Sequence, residues 1–302
     1  MPFSELTSAD ATALLAEVGI DFSPEGAIER RGERWLVRLP EQRVAWFAAT
    51  LTGRDTLLAD RSVLRLIEAR CGFQAPRILV EHSSGDFDVR AMVPGASEPS
   101  VLFKAASGSP AIARQIGTQV GSMLAELHTK IAVAEIENVV QHKPDWPESR
   151  TWILERLPSV TDDYSLIANA DDVLRRCESL RIDDEDRVLI HGDLSMHALA
   201  YDADPLRING LFDFEGAAYA DRHHDFRYLI LGNSTTMLDS ALSEYERITH
   251  RILNRDRIFL YHAACALSYL AFRVGHTPEG DWCGRTLEED LKWSRAAVGA
   301  ID

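Results

Sequence analysis

Apolar and polar residues alternate so as to divide the chain into a strand-rich first third and a helical remainder. An opening helix over Ser8 to Val18 gives way to a turn cluster, Phe22-Ser23-Pro24-Glu25-Gly26. Strand-length runs follow at Ala27 to Arg30, Trp35 to Leu39 and Arg43 to Ala49, with Arg31-Gly32-Glu33 as a hairpin turn. From Arg54 to Arg70 the period becomes helical, with Leu57, Leu64 and Ile67 on one stripe. Asp60 falls on that stripe, and an inward carboxylate calls for a cationic partner because burying it unpaired is expensive. Two more strands, Ile78 to Glu81 and Phe87 to Val93, are joined by the polar turn His82 to Asp86. Val93-Pro94-Gly95 then breaks the pattern, as a surface turn or as a boundary between two units.

Ile112 to His128 is an amphipathic helix whose stripe, Ile112, Ile116, Val120, Leu124 and Leu127, belongs to the core. Residues 129–170 are less regular. Lys143-Pro144-Asp145-Trp146-Pro147 forbids a regular element there, so the stretch reads either as an insertion over a cleft or as a linker. Further helices span Asp171 to Leu180, Met237 to Leu253, Asp256 to Gly275 and Leu287 to Val298, the last opened by Thr286 and Glu289 as a capping box. Between them, two short apolar runs flank a loop that carries His191, Asp193 and His197, and Asp213 closes the next run. Strand ends beside a turn are where a rigid scaffold holds polar chemistry.

Two such acids suit phosphoryl transfer, in which the protein orients a hydroxyl nucleophile and neutralises phosphate charge through magnesium. Asp193 would accept or orient the hydroxyl proton, and His191 would brace the loop by a hydrogen bond. Asp213, a charge closing an apolar strand, needs a metal or a cation, and magnesium takes one or two carboxylates besides substrate oxygens.

Composition sharpens this picture in three respects. The 302 residues, 46% hydrophobic, suffice for a sizeable core. A net charge of −15 and a pI near 5.1 argue against nucleic acid or an anionic membrane as partners and are compatible with a cationic substrate. Cys71, Cys177, Cys265 and Cys283 lack Cys-x-x-Cys spacing, and Met1 to Ile20 lacks a basic region followed by an apolar run, so a reducing cytoplasm is expected. The longest apolar region, Ile258 to Val274, is interrupted by His262, Ser268 and Arg273 and reads as a core helix rather than a membrane span.

His191-Gly192-Asp193-Leu194, Asp213-Phe214-Glu215 and the run Ala220-Asp221-Arg222-His223-His224-Asp225 resemble the aminoglycoside phosphotransferase and choline kinase group. The likeness runs from about residue 27 to the C-terminus, is strongest over 188–230, and is supported by Ile116-Gly117 through Leu127-His128, similar to the group's "G…LA.LH" helix. It implies an α+β, protein-kinase-like bilobal fold, with a small β-rich N-lobe holding one main helix and a larger, mostly helical C-lobe. It also implies a phosphotransferase that uses Mg2+ and moves the γ-phosphate of ATP or GTP to a hydroxyl of an aminoglycoside-like or other small molecule. On this resemblance Asp193 is the catalytic base, Asp213 the metal ligand, and Asp221 and Asp225 stabilise the catalytic segment. The backbone at Met92 and Val93 becomes the interlobe hinge that pairs with the nucleobase, which implies an N-terminal nucleotide-binding lobe over 1–94 and a C-terminal catalytic and substrate-binding lobe over 95–302.

The resemblance also places a strand cation against Asp60 to grip the phosphates. No lysine occurs before Lys104, and Arg38 resembles the position where the group carries Lys or Arg; its planar fork suits two phosphate oxygens. Two departures stand out. No G-x-G-x-x-G occurs between residues 27 and 50, and the position five beyond Asp193, a metal-binding Asn in kinases, is Ala198, next to His197 as the replacement ligand. Two other function classes stay open: a metal-dependent hydrolase built on His191, Asp193, His197, His223, His224 and Asp225, and a catalytically silent nucleotide-binding protein. For the acceptor, Asp162, Asp163 and the run Asp183-Asp184-Glu185-Asp186 suit an amine-rich sugar, whereas the aromatic residues of Phe259 to Phe272 suit a macrolide or another apolar alcohol.

Overall fold

In the computed structural model, which describes residues 2–22, 28–275 and 285–301, the strand-rich third closes into one sheet and the helical remainder packs beneath it. The N-lobe runs α1 (Ser8–Glu17), β1 (Ile28–Arg31), β2 (Arg34–Leu39), β3 (Arg43–Ala48), α2 (Leu51–Arg70), β4 (Arg77–Glu81) and β5 (Phe87–Ala91). Its strands are antiparallel throughout, in the order β1-β2-β3-β5-β4. The two faces of the sheet carry different chemistry. Val37, Leu39, Ala45, Phe47, Phe87 and Val89 join Leu15 of α1 in an apolar cluster on one face. Arg34, Trp46, Asp88 and Arg90 alternate with them and so point to the other.

The predicted helix over Arg54 to Arg70 begins a turn earlier, because the Thr50 hydroxyl accepts the Gly53 N–H and caps it. The expected turn over residues 23–26, the first residue of the first strand, Ala27, and Cys283 lie outside the described residues.

The C-lobe comprises α3 (Pro99–Gly108), α4 (Pro110–Lys130), α5 (Val133–Ile136), α6 (Arg150–Arg156), α7 (Tyr164–Glu178), β6 (Arg187–Ile190), β7 (Leu199–Ala203), β8 (Leu206–Leu211), β9 (Ala218–Asp221), α8 (Thr236–Thr249), α9 (Arg255–Phe272) and α10 (Leu287–Gly299). Helices α4 and α8 approach so closely that a Cβ on Gly117 would sit 2.2 Å from the Met237 carbonyl oxygen, a position only glycine fills. The stripe of α4 lies in the main core with Leu189, Leu211, Phe214 and Tyr245. Helix α9, the former apolar run, is core as expected: Ile258, Leu260, Ala263, Leu267 and Leu270 are all buried. No helix among the described residues is long and apolar enough to cross a membrane.

Two antiparallel pairs, β6–β9 and β7–β8, carry the polar loops. The chain passes between the lobes at Val93-Pro94-Gly95, where the Asn209 amide donates to the Pro94 carbonyl at 2.9 Å and Ala96 bridges to Tyr201.

Candidate active site

The loop over 191–198 leaves β6 in a tight bend that only glycine permits: Gly192 has φ 84°, and a Cβ there would lie 1.8 Å from the Gly216 carbonyl oxygen. The bend is held from below by Asp225, which is fully buried and accepts the His191 N–H at 2.7 Å, the Gly192 N–H at 2.9 Å and a hydrogen bond from His128 Nε2 at 3.1 Å. Burial pushes the Asp225 carboxyl up, but the hydrogen bonds from His128 and the His191 amide outweigh it and hold the group at about 2. Burial also lowers His128, which stays neutral and is fixed on its other side by the Tyr245 hydroxyl at 3.2 Å.

His191 braces the same loop. Its Nε2 lies 2.9 Å from the Phe212 carbonyl oxygen and its Nδ1 3.3 Å from the Asp193 N–H, so the ring is the Nε2–H tautomer, donating to the first and accepting from the second. Both ring nitrogens are therefore committed, and His191 ties the Asp193 turn to the strand that leads to Asp213.

Asp193 itself is part-exposed, with one carboxylate oxygen 3.5 Å from the Arg227 guanidinium. Asp213 follows β8 in the left-handed region, φ 67° and ψ 57°, a turn conformation that aspartate adopts more readily than most non-glycine residues. Asp213 keeps solvent contact, yet the protein around it withdraws enough water to raise its carboxyl above the ordinary range; Asp193 and Asp60 push the same way, against His191 and Arg34. A carboxylate crowded by like charges is a group that a divalent cation stabilises, so the donor set fits magnesium. His197 is exposed, and Ala198 is buried, its carbonyl accepting the Phe212 N–H at 3.0 Å.

Asp60 is buried, as its place on the apolar stripe required, but its cation is not Arg38. Arg90 Nη1 of β5 lies 2.6 Å from Asp60 Oδ2, and Arg34 Nη1 of β2 lies 3.4 Å from the same oxygen. Arg38 stands exposed further along β2. Arg34 stacks over the Trp46 ring at 4.5 Å and also ion-pairs with Glu215 from the C-lobe, so it bridges the α2 acid and the Asp-Phe-Glu turn. At the hinge the Met92 N–H is already donated to the Gln42 carbonyl at 2.8 Å, whereas the Val93 backbone makes no hydrogen bond among the described residues.

Asp221 accepts from Tyr261 at 2.9 Å, from His223 Nδ1 at 2.6 Å and from Arg257 at 3.3 Å, and so anchors the segment that presents Asp225. The six residues of a hydrolase-type cluster do not converge. His224 bonds the Trp146 carbonyl and Arg227, His223 bonds Asp221 and the Asn254 N–H, and His197 faces solvent. Asp186, Asp221 and His223 do offer ligand atoms within 4.8 Å of one another, but the Arg257 guanidinium reaches all three, at 3.1, 3.3 and 3.5 Å, and supplies the cation there.

Of the acids expected to attract an amine-rich sugar, three are engaged within the protein: Asp163 caps α7 and pairs with Arg295, Glu185 pairs with Arg251, and Asp186 with Arg222 and Arg257. Sequence reasoning missed Arg34, Arg90 and Arg227 and gave His128 no role. Of these, only His128 carried a signal, its place at the end of the Leu127-His128 motif.

Comparison with known proteins bears on the fold and the family. The structure is similar to that of a GDP complex of wild-type aminoglycoside 2'-phosphotransferase-IIIa, with a TM-score of 0.67, 18% identity and coverage of 97% of this chain and 99% of that one. It is also similar to a streptomycin-ATP-APH(2")-IIa ternary complex (TM-score 0.61, 14% identity, 98% and 97% covered). A third likeness is to the apoenzyme of macrolide 2'-phosphotransferase MphH from Brachybacterium faecium (TM-score 0.58, 14% identity, 97% and 98% covered). A search among curated protein sequences gives no match. Such structural likenesses establish the protein-kinase-like bilobal fold. The sequence itself matches the model of the phosphotransferase enzyme family over residues 24–261, and the chain belongs to that family.

Proposed function

We propose that this chain moves the γ-phosphate of ATP or GTP to a hydroxyl of a small molecule, with Asp193 as the catalytic base and Asp213 as the principal magnesium ligand. The observation that carries the reading is the pairing of two carboxylates held in different ways. Asp193 rides on a loop whose amides are pinned by buried Asp225, and Asp213 sits in a left-handed turn just after β8. A loose, metaphosphate-like transition state requires positioning more than strong basicity, which a pinned loop supplies.

Asp193 accepts the hydroxyl proton or orients it toward the phosphorus. Arg34, buried and presented toward the cleft, is the cation that takes the place of the missing lysine, and the unused Val93 backbone is the hinge group for the nucleobase. Asp213, with Glu215 beside it, would hold magnesium, and the metal when bound neutralises phosphate charge. The neighbours whose structures contain GDP or streptomycin and ATP support a nucleotide donor without deciding between the two.

The test is a screen of ATP and GTP against a panel of aminoglycosides, macrolides and simple alcohols for phosphate transfer, with Asp193→Asn as control. Turnover that Asp193→Asn lowers by about two orders of magnitude or more is expected. A folded Asp193→Asn variant with wild-type turnover removes Asp193 from the role, and nucleotide binding without transfer to any acceptor favours the silent nucleotide-binding reading.

A further inference from the structure

Arg227 is a fully buried arginine, with no exposed side-chain surface, two residues beyond Asp225. Its guanidinium is directed at the catalytic loop. Nη2 donates to the Gly192 carbonyl at 2.7 Å and lies 3.5 Å from Asp193 Oδ1, and Nη1 meets both the His224 carbonyl and His224 Nδ1 at 3.0 Å. The Cζ atom lies 4.0 Å above the Tyr228 ring, and the Arg227 carbonyl accepts from His262 Nδ1 at 2.6 Å.

Like Arg222, whose pair to Asp186 is 3.4 Å long and whose Nε is unpartnered, this cation is loosely paired for a buried arginine; what is particular to it is that its acid is Asp193. Asp193 is the only carboxylate within ion-pair reach of it among the described residues, whereas Arg61, Arg90 and Arg273 each meet an acid at 2.6 or 2.7 Å. Its Nε also finds no partner. A buried guanidinium with a loose ion pair and an orphaned N–H is a poor device for stability, since desolvation of the charge is incompletely repaid. It is a good device for fixing one carboxylate. His224 holds Nη1 at one side of the planar group, which fixes Nη2 where it meets both the Gly192 carbonyl and the Asp193 carboxylate, and the positive charge offsets the repulsion between Asp193 and an incoming phosphoryl group.

We infer that Arg227 is a positioning residue for phosphoryl transfer, its guanidinium setting the orientation of the Asp193 carboxylate toward the acceptor hydroxyl through the paired contacts to Gly192 and Asp193. The inference rests on the reading of Asp193 as the base. Arg227 contacts no nucleotide-binding group described above, so its loss acts on kcat and leaves the nucleotide KM in place. Lysine keeps the charge but has no second nitrogen for His224 to hold, so its ammonium is not fixed between Gly192 and Asp193.

The experiment measures steady-state turnover of magnesium-ATP and magnesium-GTP, with water and with the acceptor panel, for wild type, Arg227→Lys, Arg227→Met, Asp193→Asn and the Asp193→Asn double variants. Expected are a kcat lowered several-fold in Arg227→Lys and roughly 10²-fold in Arg227→Met, nucleotide KM within about twofold of wild type, and no further loss when either substitution is added to Asp193→Asn. A purely structural role predicts the same fractional loss in both backgrounds, so additive effects overturn the inference. So does a kcat for Arg227→Lys within twofold of wild type, which decides the matter even where Arg227→Met fails to fold. Wild-type turnover in Asp193→Asn would instead overturn the proposed function.

Discussion

Replacing Asp225 by Asn tests whether one buried carboxylate organises the catalytic loop. The aspartate accepts two backbone amides on its two oxygens, His191 N–H on Oδ2 and Gly192 N–H on Oδ1, besides His128. Asparagine keeps one acceptor oxygen and turns an NH2 toward the other amide, leaving a buried donor facing a donor. One unsatisfied buried amide costs about 1–3 kcal/mol, and the loss of charge assistance on the remaining bond adds to it, so the variant should be destabilised by roughly 3 kcal/mol at pH 7. Part of that difference is titratable. The folded carboxyl lies at about 2, below an unfolded value of about 3.9, so its contribution is complete above the unfolded value and is lost as pH falls through the folded one. Linkage assigns roughly 2–3 kcal/mol to this gap. Urea denaturation of wild type and Asp225→Asn at pH 7, 5, 4 and 3 should therefore show the difference in unfolding free energy constant down to about pH 5 and shrinking below pH 4. A difference under about 1 kcal/mol at pH 7, or one that does not change with pH, would refute the reasoning.

Three further outcomes are expected. Asp213→Ala should weaken magnesium-nucleotide binding by at least roughly tenfold in calorimetric titration while leaving the fold intact, since Asp213 is a surface-facing ligand rather than a core group; unchanged affinity removes it from the metal site. Ala198→Asn should raise turnover in magnesium and His197→Ala should leave it unchanged, because magnesium prefers oxygen ligands and the His197 side chain faces solvent; turnover falling only in His197→Ala, with manganese restoring wild type best, would reverse this order. Asp60→Asn should cost about 3 kcal/mol in chemical denaturation, because it leaves buried Arg90 and Arg34 short of a counter-charge; a loss below 1 kcal/mol would show that Asp88 and Glu215 compensate.

The sequence made the apolar stripes and the acids legible, but not the arginines that answer them. Asp60 could be placed on the buried face of α2 by period alone, and the need for a cation followed. Arg34 and Arg38 lie on the same face of β2, so alternation cannot separate them; the packing of α2 against the sheet does. Arg90 reaches Asp60 only because β5 inserts between β3 and β4, a strand order that local pattern does not encode. Helix α3 was missed because only Leu102 and Ala106 are buried in it, and Pro99 in its first turn resembles a breaker although proline is tolerated there. Helix α7 starts seven residues before its predicted start, at Tyr164 behind an Asp163 cap, with Leu166 and Ala170 on its buried side. Asp221 and Asp225 were recognisable as acids near the loop, but their partners, on α4, α9 and the loop amides, come from distant parts of the chain.

The bridge made by Arg34 acquires a different meaning when the buried charges of the N-lobe are counted. Arg34, Arg61 and Arg90 face Asp60 and Asp88 on the sheet surface beneath α2, three positive groups against two negative ones. Apart from the Arg54–Asp86 pair, that linked cluster carries one positive charge in excess, and the balancing negative charge arrives from the C-lobe as Glu215. Drawing the lobes apart therefore strands a cation in a low-dielectric place, so the closed arrangement is favoured by charge balance as well as by contact. Any anion able to occupy the Glu215 position would satisfy the same deficit, which makes the cleft an electrostatic vacancy with a defined sign and a defined location.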